Sequence, residues 1–266
     1  MLAYYYYSLS IFMRFLKRDF FVYSKQLKDY AINYCLLFPI LMSTVFGYIL
    51  PYAIMGITDR TQATAIFATS CLIIIIDVTF RLSFELLFDL ENKRFIEYQI
   101  NLLSPRLLLI QRVVFITLFT FLLTSPFYLV TTLLLHNDLD LSNTSWLQTY
   151  IILFCGSLVC ASYQQLGALV MQSSNRVVQY WTRFNIPLIL FGGFWTPYAI
   201  LKHFSPTLAY INLANPIVYI TEGLRQALVG GQQFLPLWFC IVMMLGISTI
   251  CILATFYLFK KHVDHI

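Results

Sequence analysis

Charge is the scarcest commodity in this chain. Only 11% of its 266 residues are Asp, Glu, Lys or Arg, against about 25% in an ordinary soluble domain. A water-soluble protein of this length could not cover its surface with so few charges. Glycine (10) and proline (9) are also sparse, which excludes collagen-like and low-complexity chains. The six cysteines, Cys35, Cys71, Cys155, Cys160, Cys240 and Cys251, all sit in apolar stretches, where thiols behave as small hydrophobes. None pairs as C-x-x-C, so neither a zinc site nor a redox motif is encoded. The four histidines occupy loops and the tail, no H-E-x-x-H is present, and no metal site is expected. Ser248 has no histidine in any apolar stretch to activate it, so intramembrane hydrolysis is a poor reading.

What is present is apolar: 59% hydrophobic, 17% aromatic, mean hydropathy +0.75. The fold expected is all-α, a polytopic membrane protein. A spanning helix needs about 20 mostly apolar residues, and six stretches qualify: Ala31 to Leu50, Ala63 to Phe84, Val113 to Leu135, Trp146 to Val170, Phe184 to Leu201 and Phe234 to Phe259. An even number places both termini on one side. The segments on that side hold 14 of the 17 Lys and Arg residues; Arg60, Lys202 and Arg225 are the other three. Cytoplasmic loops carry the Lys/Arg excess, so both termini are expected in the cytoplasm. The first ten residues lack a basic start, and no cleavable signal is expected.

Three segments are expected not to span. Residues 1–30 read as an amphipathic helix in the membrane plane. Arg14, Lys17, Arg18, Lys25 and Lys28 share one face, and Phe12, Leu16, Phe20, Tyr23, Leu27 and Tyr30 the opposite one. This helix serves as an anchor or also touches a cytoplasmic partner. The cytoplasmic loop 85–112 alternates in charge over Glu85, Asp89, Glu91, Lys93, Arg94 and Glu97, while Ile96, Ile100 and Leu103 share a helical face that ends at Ser104-Pro105. The outer segment 202–233 is too polar and broken to cross. Within it Asn215 caps a helix with Pro216 in its first turn, and Gly230-Gly231 ends it. Ile217, Ile220, Leu224 and Leu228 form one face; Glu222, Arg225 and Gln226 form the other, which is expected to be solvated, with the helix in or on the outer leaflet.

Two charged pairs stand out. Asp77 is the only acidic residue well inside a span, with Arg81 at i+4; intramembrane charges are costly and usually paired, so the two form a structural pair or a conformational latch. Glu222 and Arg225, at i and i+3, are either a solvated pair or a contact that holds an outer gate.

The run Leu213-Ala214-Asn215-Pro216-Ile217-Val218-Tyr219 leading to Glu222 and Arg225 is similar to the Asn-Pro…Tyr…Glu-x-x-Arg segment of the permease subunit of type-2 ABC exporters. Upstream, Gly193-Phe194-Trp195-Thr196-Pro197 resembles that family's Gly-aromatic-aromatic-x-Pro end of span five. Leu103-Ser104-Pro105 matches its Thr-Ser-Pro element with Leu103 in place of Thr. The resemblance covers nearly the whole chain. It implies an ATP-driven exporter permease for amphipathic, lipid-linked or drug-like cargo in a bacterial inner membrane. A second permease chain, identical or a close paralogue, and an ATP-binding cassette subunit would be its partners, along with membrane lipid and no nucleic acid. Glu91, Arg94, Ile96, Ile100 and Leu103 would couple to the ATPase, and Asn215, Pro216, Glu222 and Arg225 would belong to the outer gate. The chain contains no G-x-x-x-x-G-K-[ST] loop, so no cofactor is expected in it; ATP and magnesium would sit on the partner, and the chain itself would not be an enzyme. The alternatives are a stand-alone secondary transporter or channel, or a membrane scaffold. A secondary transporter commonly shows internal repeats and deep polar sites, and neither is evident here.

Overall fold

The computed structural model describes residues 2–91, 99, 102–135, 138–171, 173–231 and 233–263. Glu91 closes a helix in backbone only, and Arg94, Ile96 and Ile100 of the expected coupling segment lie outside the described residues. The described residues are mostly helical, with no strand among them. The chain is an integral membrane protein of all-α fold. Five helical segments are long and apolar enough to cross a membrane: Leu27–Ile54, Arg60–Asp89, Pro105–Leu135, Trp146–Met171 and Leu237–Lys260.

In chain order the elements are α1 (Leu2–Ser24), α2 (Leu27–Ile54), α3 (Arg60–Phe67), α4 (Leu72–Glu91), α5 (Pro105–Thr124), α6 (Phe127–Leu135), α7 (Trp146–Met171), α8 (177–191), α9 (Tyr198–Phe204), α10 (Pro206–Asn212), α11 (Pro216–Leu228) and α12 (Leu237–Val263). Proline shapes several of them. A proline lacks the N–H that closes a helical turn, and wide π turns take up the misfit. Pro39 follows the π stretch Ala31–Leu37, Pro51 lies within Ser43–Ile54, and Pro187 follows Trp181–Asn185. The expected fifth span is not one continuous helix. α8 stops at Phe191, Gly192 and Gly193 turn the chain with φ +71° at Gly193, and α9 begins only at Tyr198. Hydropathy is the same on both sides of this break, so it does not register as an interruption of an apolar run.

α7 is the hub, packing against α4, α5, α11 and α12. Lipid tails are as apolar as leucine, so helices in a membrane associate through close packing. Small residues on α7 permit it: a Cβ at Gly156 would lie 3.1 Å from Ile220, and one at Gly167 would overlap the Tyr180 hydroxyl. Side-chain amides join the same packing. Gln164 Nε2 donates to Asn185 Oδ1 at 2.9 Å, and the Tyr163 hydroxyl donates to that oxygen at 3.1 Å, tying α7 to α8.

α1 lies along α5. Phe20 meets Phe115 edge-to-face at 5.1 Å, and Gln111 Nε2 donates to Asp19 at 2.8 Å. Phe15 packs with Leu103 and Leu108. Leu103 is therefore buried within its own chain (3% exposed). It anchors the end of the 85–112 loop under α1 instead of standing free on a docking face.

Candidate functional site

Two breaks in the helices leave backbone carbonyls without their helical donors. In a membrane such groups must be satisfied by the protein itself. The first break is residues 68–71, between α3 and α4; the second is the turn 192–197 after α8. α11 meets both.

The sequence starts α11 cleanly. Asn215 has extended backbone (φ −86°, ψ 119°), and its Oδ1 accepts from the Ile217 amide at 3.0 Å while Pro216 fills a position that needs no N–H. The other half of the same amide donates through Nδ2 to the Leu188 carbonyl at 2.8 Å. One turn and a half on, Thr221 Oγ1 donates to the Gly192 carbonyl at 2.8 Å. Arg225 completes the strip. Its Nη2 donates to the Phe194 carbonyl at 3.1 Å, and its Nε to the Ala65 carbonyl at 3.1 Å. Three side chains of one helix thus supply donors to the end of α8, to the turn beyond it and to the end of α3.

Glu222 balances the charge. Its Oε1 accepts from Arg225 Nη1 at 3.0 Å and from the Tyr198 amide at 3.0 Å, and its Oε2 from the Leu235 amide at 3.3 Å. Both side chains of the pair are 0% exposed. Burial pushes the Arg225 guanidinium below its ordinary value, and the Glu222 carboxylate opposes that shift. Removing one member of such a pair strands the other and costs roughly 3–5 kcal/mol. Close approach is part of the arrangement: a Cβ on Gly193 would sit 3.1 Å from Thr221 Oγ1, and its positive φ disfavours any L side chain.

This corrects the expectation of a solvated polar face on a surface helix. α11 is buried nearly all round, including Val218, Tyr219, Gly223 and Ala227 on the flanks. The structure brings Asn215, Pro216, Glu222 and Arg225 together. It adds Gly193, Phe194, Thr221 and Ala65, which no spacing rule singles out.

Asp77 and Arg81 form their ion pair, with Arg81 Nε 3.0 Å from Asp77 Oδ2 and the Tyr34 hydroxyl donating to the same oxygen. Tyr34 comes from α2, so the pair joins two spans. Arg81 remains 61% exposed, beside a groove that it lines with Trp181 and Val178.

The ABC-2 type transporter membrane family matches residues 12–229. The match spans α1 through the end of α11, and the chain belongs to that family. No curated protein and no solved structure matches it.

Proposed function

We infer that this chain is the membrane subunit of an ATP-driven exporter. It would pair with a second permease chain and dock an ATP-binding cassette subunit through the 85–112 loop. Family membership over residues 12–229 carries this reading: the family is a membrane transport component that normally pairs with an ATPase. The cargo class that fits is amphipathic, lipid-linked or drug-like, because the spans are rich in aromatic and aliphatic side chains and poor in deep ionisable ones. Both termini face the cytoplasm in this reading, supported by the Lys/Arg distribution.

The α9–α11 end then faces outward, and the Glu222–Arg225 knot belongs to the outer gate. A pair that ties α11 to the turn 192–197, to α3 and to Leu235 is too costly to break in each cycle. The gate therefore moves as one body, α9 to α11 together with α3 and the segment at Leu235, and the pair holds it in shape. Asp77–Arg81 of α4, bonded to Tyr34 of α2, serves as the inner latch between spans.

Reconstitution with the cognate ATPase tests the whole. ATP should drive uptake of a lipid-linked or amphipathic probe from the medium into the lumen of inverted vesicles. Transport that proceeds without ATP, driven by an ion gradient, would assign the chain to the secondary transporters. Orientation is checked with single cysteines in a cysteine-free background: Ser142→Cys should react with an impermeant thiol reagent from outside intact cells, and Lys28→Cys should not. The reverse pattern would invert the topology.

A further inference from the structure

At the opposite end of the bundle from α11, a cavity of about 330 Å³ opens between α1, α4, α5 and α7. Its charged groups are mostly committed to one another. Arg18 pairs with Asp19 at 2.6 Å, and Asp19 also accepts from Gln111. Arg112 pairs with Asp89 and donates to Gln99. Three further lining groups are not committed. Ser83 Oγ and Gln165 Oε1 are fully buried and have no hydrogen-bond partner. The Glu85 carboxylate takes part in no hydrogen bond or ion pair among the described residues. The Gln165 amide is oriented by its other end, since Nε2 donates to the Leu109 carbonyl at 3.3 Å, which leaves the oxygen as the orphan.

Buried polar groups in folded proteins are hydrogen-bonded, and orphans call for an explanation. Ser83 and Gln165 are two such orphans, and Glu85, which is exposed where it lines the same cavity, shares their character. Gln165 Oε1 only accepts, Ser83 Oγ and the Glu85 carboxyl can accept, and with Arg18 paired to Asp19 and Arg112 to Asp89, Glu85 is the carboxyl of the lining left without an ion-pair partner. A primary ammonium offers three N–H donors and one positive charge, which is what this set lacks. The rest of the wall is apolar, from Val22 and Tyr23 of α1 to Leu86 and Phe115. Glu85 and Asp89 lie at the end of the Arg60–Asp89 span, the depth of lipid headgroups. We propose that this cavity binds the primary-amine headgroup of a membrane phospholipid, with Glu85 as counter-ion and Ser83 and Gln165 as the other acceptors. The site is separate from the Glu222–Arg225 gate.

The test uses the full-length chain in detergent, offered equal phosphatidylethanolamine and phosphatidylcholine, with retained lipid measured by native mass spectrometry. The two headgroups differ in that the trimethylated one has no N–H to donate. The wild type should retain the ethanolamine lipid about tenfold over the choline lipid, in line with charge-assisted hydrogen bonds. Glu85→Gln should remove that preference without changing choline-lipid retention. Ser83→Ala, which leaves the charge and the packing in place, should reduce the preference a few-fold and provides the reading if Glu85→Gln does not fold. Equal retention of the two lipids by the wild type, or an undiminished preference in both variants, would overturn the proposal and leave a water-filled cavity. Displacement of the lipid by equimolar free glycerophosphoethanolamine would overturn the lipid assignment, because the ligand would then be a soluble amine.

Discussion

Single residues in this chain differ sharply in what they hold. Arg225 is fully buried and supplies two carbonyls as well as a carboxylate, whereas Arg81 is mostly exposed and bonds one carboxylate. Arg225→Ala is therefore expected to cost roughly 3–5 kcal/mol of stability, and Arg81→Ala less, because the Tyr34 hydroxyl still donates to the Asp77 carboxylate it leaves behind. Thermal unfolding of the two variants in the same detergent checks the contrast; equal melting shifts would contradict it. Thr221→Val keeps the shape but orphans the Gly192 carbonyl, which costs about 1–3 kcal/mol. If Thr221→Val melts with the wild type, that carbonyl has found another donor. The i, i+3 spacing of Glu222 and Arg225 made their pairing legible in sequence. Their burial was not, because spacing tells which face a side chain occupies and not what covers that face. The cover comes from residues 65, 194, 198 and 235, distant in the chain.

At the scale of elements, helix starts were the most legible feature. Asn215-Pro216 and the glycines at 230 and 231 bound α11 where local chemistry requires, the latter with φ +74° and +94°. The break between α8 and α9 was legible only through the resemblance of Gly193 to Pro197 to a span end, since hydropathy runs on to Leu201 and the turn depends on donors from α11. The amides of Gln164 and Asn185 were hidden for the same reason: each is a lone polar residue in an apolar stretch until its partner is placed. α1 shows the converse. Its apolar face was evident, but the structure supplies its partner, α5 and the end of the 85–112 loop. Leu103 fills the space beneath Phe15 there. Leu103→Ala removes a buried leucine, for which about 2–5 kcal/mol is typical. It should release α1 locally and speed protease cleavage between α1 and α2, with the melting of the spans much less affected. Unchanged cleavage would show that α1 is held by its contacts with α5 alone.

For the molecule as a whole, composition and hydropathy were enough to establish a helical membrane protein, because only helices of this length satisfy their backbone in lipid. The transport reading needs more: a bundle held by α7, an end closed by α11 and its buried pair, and a family whose members work beside an ATPase. The most direct measurement is ATP hydrolysis by the complex purified in mild detergent through a tag on this chain, for the wild type and for Ile96→Asp/Ile100→Asp. The account predicts that the wild type carries a Walker-A ATPase subunit and hydrolyses ATP. The double variant should keep the wild-type melting temperature and lose the subunit and its activity, since a charge forced into an apolar groove without a partner costs several kcal/mol. A wild-type chain that purifies without an ATPase, or a double variant that retains it at full activity, would contradict the account.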